Sequence, residues 1–183
     1  MISSILAIGY HGTSRVASAE VLKDGFILSR EPYDWLGNGV YFFQDAPDRA
    51  AEWAFERHGG SGTVLGAEIL LEECMDLLDI GWASLLAEAH DRFLDLCRRS
   101  GQPVPLQKGG AHRLDRHVIN YAIGVLAKKG RPIHCVRAAF AEGLPVFPNS
   151  ALMTRSHVQI AVRDTTLIRR VWVEKEDRSH EED

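Results

Sequence analysis

The sequence is poor in cysteine: it has three, Cys74, Cys97 and Cys135, among 183 residues. Three scattered thiols are too few for a disulfide framework or a cysteine-rich zinc site, and reduced thiols are typical of the cytoplasm, where we expect this protein. The sequence also lacks an apolar run long enough to span a bilayer, so no membrane partner is expected. Its first nine residues lack the basic region and the small-residue cleavage site of a signal peptide.

The chain has little charge outside its last ten residues. Its formal net charge is −4, and residues 174–183, with six acidic and two basic side chains, account for all of it. The remainder is near neutral and has no basic stripe that would favour a nucleic acid. With 45% hydrophobic residues, the chain can bury a core of its own. We expect a single domain over residues 1–173 and an acidic, disordered tail over residues 174–183.

Apolar patterns predict strands early and late in the chain and a helical middle. The predicted strands are residues 5–10, 40–43, 63–71, 133–140, 157–162 and 167–173. The predicted helices are residues 14–23, 46–58, 82–97 and 114–129, with Ser14 or Thr13 capping the first and Asp45 capping the second. This order indicates an α+β fold with largely antiparallel strands.

Gly37-Asn38-Gly39 precedes the aromatic strand Val40-Tyr41-Phe42-Phe43. Glycines permit the positive φ and the close backbone approach of a tight turn, and the residues that follow favour a strand. Alone, this stretch is typical of a hairpin corner with a core aromatic. A turn that delivers a tyrosine to the start of a buried strand also suits the holding of a ring-shaped ligand.

Three segments, taken in order, resemble a known family. They are Tyr10-His11-Gly12-Thr13, the stretch from Gly37 to Phe42, and Val158-Gln159-Ile160-Ala161-Val162-Arg163-Asp164. Together they are similar to the ADP-ribosyltransferases, in the branch related to poly(ADP-ribose) polymerases and diphtheria toxin, whose signature is His-Tyr-Glu. The resemblance implies two packed, mostly antiparallel sheets that form an NAD cleft, with NAD as co-substrate and no metal.

The resemblance also implies roles for the residues of the first two segments. His11 would bind the adenosine-side ribose, and the backbone of Gly12 and the hydroxyl of Thr13 would hold the nicotinamide carboxamide. Tyr41 would stack on the nicotinamide ring. Gly39 is counted with the NAD-binding positions, although it serves the turn whatever the ligand. His11 also fits a simple hydrogen-bonded histidine at a strand end, and Tyr41 fits a core aromatic.

Trp53, on the next predicted helix, lies near the place of the family's second aromatic and would cover the other face of the nicotinamide. It too fits the core. Gln159 falls where the family has its glutamate. A glutamine amide can bond the ribose hydroxyls but has no charge and is no base. Glu142, in the loop before the last strands, is the candidate for a replacement base, although it also fits an ordinary surface carboxylate.

The chemistry accounts for these residue types. The nicotinamide–ribose bond breaks through an oxocarbenium-like state, as in glycosidases. Aromatic rings would hold the leaving group while the sugar turns to its acceptor, and a group near the ribose 2′-hydroxyl would stabilise the developing charge. In this family a glutamate at position 159 accompanies chain elongation, so its absence favours mono-ADP-ribosylation over polymer synthesis.

The expected function is therefore that of an NAD-dependent mono-ADP-ribosyltransferase. Its role, by analogy with small free-standing domains of this kind, would be that of a bacterial toxin or defence effector with a neutralising antitoxin-type partner. The alternatives are a catalytically weak NAD or ADP-ribose sensor and an NAD glycohydrolase. The acceptor is left open between a protein, a nucleic acid and a small molecule.

The sequence leaves the roles of Asp34 and Trp35 open and argues against a metal site at His112 and His117. Asp34 and Trp35 fit either a loop cap or the adenine side of a nucleotide site. His112 and His117 are five residues apart, not the four of a helical metal pair, so no zinc site is expected.

Overall fold

The computed structural model describes residues 5–107 and 112–174. Its strands are β1 Ile5–Ser14, β2 Val40–Gln44, β3 Gly62–Leu71, β4 Cys74–Asp76, β5 Cys135–Phe140, β6 His157–Val162 and β7 Ile168–Val173. Its helices are α1 Arg15–Asp24, α2 Pro47–His58, α3 Ala83–Ser100 and α4 Arg113–Lys128. The α+β class is confirmed, and the predicted tail falls, from residue 175 onward, outside the described residues.

The described strands form one seven-stranded sheet in the order β4-β5-β6-β2-β1-β3-β7. All neighbours are antiparallel except β4 and β5, which run parallel. The expectation of two packed sheets is corrected here, because backbone pairing between β1 and β2 joins the two halves into one sheet. β4 was not predicted, since its three residues, Cys74–Asp76, are too few to show a periodic pattern.

The join between β1 and β2 is short, and this positions the site. β1 pairs with β3 along all ten of its residues, but pairs with β2 only at Gly9↔Gln44 and Tyr10↔Phe43. Beyond Tyr10 the two strands separate. The sheet therefore opens between residues 11–14 of β1 and the start of β2.

The helices cover both halves of the sheet. The amphipathic pair α3 and α4 pack on each other and, with β4 and β5, form a core that includes Met75, Ile119, Ile123 and Val136. α2 packs across β1 and β3 and buries Ala50. No helix in the two described ranges is both long and apolar enough to cross a membrane.

The helix ends match the prediction at α1 and differ at α2. The Ser14 hydroxyl accepts a hydrogen bond from the Ala17 N–H at 3.1 Å and so caps α1. Asp45, the predicted cap of α2, instead has φ +51° and lies one residue too early, and Ala46 occupies the cap position without a side-chain bond. Pro47 lies at the first turn as predicted, where its missing N–H leaves no partner unsatisfied.

Candidate functional site

A cavity of about 1110 Å³ lies where β1 and β2 separate. Most of the residues singled out in the sequence line it: His11, Gly12, Thr13, Tyr41, Trp53, Glu142 and Gln159. They come from β1, β2, α2, the β5–β6 loop and β6. The structure therefore brings together side chains that are up to about 150 residues apart in the sequence.

His11 bridges the gap between the separating strands. Its Nδ1 lies 2.8 Å from the backbone oxygen of Tyr41. That oxygen can only accept, so Nδ1 carries the proton and Nε2 of the neutral ring is an acceptor. The ring meets Phe26 edge-on at 5.3 Å between centroids. Burial lowers the pKa of His11, and the bond to Tyr41 offsets part of this effect, so the side chain is neutral at pH 7.

Gly12 allows β1 to lie directly against α2. A Cβ at this position would meet the backbone oxygen of Ala50 at 2.3 Å and Cδ1 of Trp53 at 3.2 Å. A side chain here would push the helix outward and move the Trp53 indole. The next residue, Thr13, is buried and also lines the cavity.

Tyr41 is held by the turn that precedes it. Its hydroxyl donates to the Gly37 oxygen at 2.7 Å and accepts from the Leu36 N–H at 2.9 Å. Burial, together with the nearby Asp34 carboxylate, raises the pKa of Tyr41, so its hydroxyl is protonated at all ordinary pH values. Gly39 is not among the cavity-lining residues, and its close approach is to β6, where a Cβ would lie 3.0 Å from the Val162 oxygen.

Gln159 is oriented by a chain of hydrogen bonds. Its Oε1 accepts from the Trp35 indole N–H at 2.7 Å, and its Nε2 lies 2.8 Å from Nε2 of His157. The other ring nitrogen of His157 donates to the Arg155 oxygen at 2.6 Å, so Nε2 must be the unprotonated acceptor. Burial lowers the pKa of His157, which agrees with a neutral ring. The amide of Gln159 thus has one orientation.

Glu142 points into the site and is ion-paired. Its Oε2 accepts from Nη2 of Arg49 at 2.8 Å. The Arg49 side chain is only 8% exposed and stacks on Phe43, the cross-strand partner of Gln159. Nε and Nη1 of Arg49 have no hydrogen-bond partner among the described residues, although Nη1 lies 3.7 Å from Glu52. The Glu142 carboxylate and the buried Arg49 guanidinium, which has N–H groups without an acceptor among the described residues, therefore lie on the same side of the cavity as Gln159.

Arg49 and Arg57 were not identified from the sequence. They lie one turn before and one turn after Trp53 on α2, and all three residues line the cavity. The four-residue spacing Arg-x-x-x-Trp-x-x-x-Arg could have identified them, because residues at this interval lie on one face of a helix. This face offers a flat ring between two cations, which suits a ligand with a planar group and anionic groups.

Asp34 and Trp35 both lie at the cavity, each in a defined set of hydrogen bonds. Asp34 caps its loop, accepting from the Ser29 hydroxyl at 2.8 Å and the Glu31 N–H at 2.6 Å, and it also lines the cavity. Burial raises its pKa, and the two hydrogen bonds oppose this. Trp35 lines the same wall as the donor to Gln159.

His112 and His117, whose spacing does not suit a helical metal pair, each contact another side chain. Nδ1 of His112 lies 3.1 Å from Asp115, and the ring of His117 stacks on Phe93. Within the described residues, no group of three or more histidine, cysteine or acidic side chains is arranged to hold a metal ion.

No protein-family model matches the chain, and no curated protein matches it significantly.

Proposed function

We propose that this protein is an NAD-dependent mono-ADP-ribosyltransferase, built on the ADP-ribosyltransferase fold. The observation that carries the proposal is that His11, Tyr41 and Gln159, from three distant segments, line one cavity at the opening between β1 and β2. The cavity, at about 1110 Å³, exceeds the range of roughly 300–1,000 Å³ typical of pockets for drug-sized ligands and has room for an extended dinucleotide.

The polar groups of the cavity suit the parts of NAD. Nε2 of neutral His11 is an acceptor for a ribose hydroxyl. The backbone of Gly12 lies next to Trp53 and Thr13 lines the same cavity, so these two residues would hold the carboxamide of a ring stacked on the indole. Arg49 and Arg57 flank the indole and supply positive charge for the diphosphate.

Glu142 is the base in this proposal. When the bond from C1′ of the ribose to the nicotinamide nitrogen breaks, both electrons of that bond stay on the nitrogen and neutral nicotinamide leaves. The acceptor oxygen or nitrogen then bonds to C1′, and its proton passes to the Glu142 carboxylate. Gln159 contributes hydrogen bonds but no charge, which favours transfer of a single ADP-ribose unit.

One observation favours a second candidate, an NAD or ADP-ribose sensor. Gln159 is bonded at both ends of its amide, and Glu142 is already bonded to Arg49. If neither group is released when NAD binds, the protein would bind the dinucleotide without turning it over.

The test is incubation of the protein with NAD labelled in its adenylate half and a cell lysate, followed by measurement of free nicotinamide and labelled products. Transfer predicts both, and the Glu142→Gln variant should lower the rate of labelled-product formation by about 10²–10⁴-fold. The matched control is Glu88→Gln, a surface change on α3 in an exposed ion pair, which should leave the rate unchanged. Calorimetric binding of NAD with no release would establish the sensor, and release with no labelled acceptor would establish a glycohydrolase. Absence of both binding and release would refute the proposal.

A further inference from the structure

The loop over residues 30–38 supplies part of the cavity wall. Trp35 lines the cavity from this loop, and its indole N–H donates to Gln159 at 2.7 Å. The two residues that follow Trp35 hold the Tyr41 hydroxyl through their backbone N–H and C=O groups. The position of this loop therefore determines two contacts of the candidate site.

Arg116, on α4, joins the two ends of the loop. Its Nη2 donates to the backbone oxygen of Arg30 at 2.9 Å and to Oδ1 of Asn38 at 3.0 Å. A single nitrogen thus bonds the first and the last residue of the loop. Nε of Arg116 is buried and has no hydrogen-bond partner among the described residues. Because an unpaired buried donor costs stability, stability alone does not account for an arginine at this position.

α4 also contacts the loop at two further points. One turn further along the helix, Oδ1 of Asn120 accepts from the Asn38 N–H at 3.2 Å. Nη1 of Arg163 donates to that same Oδ1 at 3.0 Å and to the backbone oxygen of Asn38 at 2.8 Å. At the start of α4, the ring of His112 lies 6.1 Å from that of Trp35 between centroids. The helix therefore holds both the end of the loop and the indole that reaches the site.

We infer that Arg116 is a positioning residue of the candidate site: by closing the loop on α4, it holds Trp35 in the position that bonds Gln159. Arg116 is not among the cavity-lining residues, so it acts through the loop and not by touching a ligand. The Gln159 amide is bonded at both ends, so a displaced Trp35 changes the group that faces the cavity. That the ligand affected is NAD rests on the proposed function. A purely structural contact predicts a less stable protein in which the indole keeps its bond.

The test follows hydrogen exchange of the Trp35 indole N–H by nuclear magnetic resonance on the full chain, with the signal assigned by its absence in Trp35→Phe. The bond to Gln159 slows this exchange in the wild-type protein. We expect Arg116→Leu to speed it by about 2- to 12-fold, the factor equivalent to one hydrogen bond. The indole N–H of Trp172, bonded to Glu174 at 2.7 Å, should exchange as in the wild-type protein and shows that the variant is folded.

Two further variants and a control separate the role of the bonds from general damage. In Arg116→Lys the exchange should be slower than in Arg116→Leu, because an ammonium has three donors and can bond both oxygens. Asn38→Ala removes one of the two acceptors at a position without a positive φ, and should also speed the exchange. Arg113→Gln, an exposed residue three positions earlier on α4, should leave the rate unchanged. If the wild-type protein binds NAD, calorimetry should show weaker binding by Arg116→Leu.

The inference is overturned if Trp35 exchange is unchanged in Arg116→Leu and Asn38→Ala, or if Arg113→Gln or Arg116→Lys speeds it as much as Arg116→Leu does. It is also overturned if the exchange rises while NAD is bound as tightly as before. In each case nicotinamide release by the wild-type protein would leave the proposed function standing. Faster exchange in Arg116→Leu and Asn38→Ala, in a protein that neither binds nor cleaves NAD, would refute only the enzymatic assignment.

Discussion

Nδ1 of His11 lies 2.8 Å from the backbone oxygen of Tyr41, across the gap where β1 and β2 no longer pair. A side chain thus replaces the strand-to-strand hydrogen bond that the Tyr41 oxygen would otherwise make. The bond also sets the tautomer, because Nδ1 must carry the proton, and it makes Nε2 an acceptor. The separation of β1 and β2 therefore both opens the sheet and gives His11 a neutral ring with Nε2 as an acceptor.

The neutral state of His11 predicts a pH dependence of stability. Burial lowers the pKa of His11 and of His157 in the folded protein, while the unfolded chain takes up protons near the ordinary histidine pKa of about 6.5. The unfolded state therefore binds more protons below that pH, and the free energy of unfolding should fall as the pH is lowered from 7.5 to 5.5. Urea denaturation across this range measures it.

The His11→Gln variant should show a shallower fall, because it lacks one of the histidines whose pKa burial lowers, the others being His117 and His157. His90→Gln, at an exposed position on α3, should follow the wild-type curve. Identical slopes for the wild-type protein and His11→Gln would contradict the prediction.

Gly12 provides a second prediction. Alanine at this position places a Cβ 2.3 Å from the Ala50 oxygen, so β1 and α2 must move apart. We expect Gly12→Ala to lower the free energy of unfolding by about 1–3 kcal/mol and to weaken NAD binding, because Trp53 moves with the helix. Gly60→Ala is the matched control, since a Cβ there meets nothing within 4 Å. Denaturation and calorimetry of both variants test it, and equal stabilities would show that the contact can relax without loss.

The helices and most of the strands could be predicted from the sequence because their patterns are local. The four-residue spacing of Val118, Ala122 and Leu126 predicts the buried face of α4, and all three are buried. The Ser14 cap was predictable because its bond reaches only three residues along the chain. The cap of α2 was not, because Asp45 adopts φ +51° while its N–H bonds to the Ile8 oxygen of β1, a distant contact.

The candidate site likewise has residues that could be predicted from the sequence and contacts that could not. His11, Tyr41 and Gln159 lie in short motifs and could be singled out from the sequence. The environment of Gln159 could not, since it depends on Trp35, 124 residues away, and on a tautomer of His157 that the Arg155 oxygen determines. The single sheet was also out of reach, because it depends on two residue pairs between β1 and β2.

A change at Gln159 tests that environment. In Gln159→Glu, one carboxylate oxygen keeps the Trp35 bond and the other faces Nε2 of His157, where the amide donated before. Since Nδ1 of His157 still donates to Arg155, the carboxylate can be satisfied only if Nε2 also carries a proton. The substitution should therefore raise the pKa of His157 above its wild-type value.

A titration of the imidazole signals by nuclear magnetic resonance measures this pKa. Gln159→Met is the control, because it removes the amide without adding charge and should leave the His157 ring neutral. An unchanged pKa in Gln159→Glu would show that the hydrogen-bond chain from Trp35 to Arg155 is not present as described. If the missing charge limits turnover, Gln159→Glu should also release nicotinamide faster than the wild-type protein.

The Arg49–Glu142 pair should respond unequally to loss of its two members. Arg49 is 8% exposed and Glu142 is 35% exposed. Glu142→Ala leaves a buried cation with all three of its nitrogens short of acceptors, whereas Arg49→Met leaves a carboxylate that water can reach. We expect a loss of about 3 kcal/mol for Glu142→Ala, at the lower end of the range for broken buried pairs because Glu52 lies 3.7 Å from Nη1. For Arg49→Met we expect a loss of about 1 kcal/mol, as for a more exposed charge.

In the double variant no buried charge remains, so it should be more stable than Glu142→Ala alone. Urea denaturation of the wild-type protein, the two single variants and the double variant at pH 7.5 gives the coupling free energy. Equal losses in the two single variants, or losses that simply add, would mean that Arg49 reaches solvent or another acceptor and does not depend on Glu142.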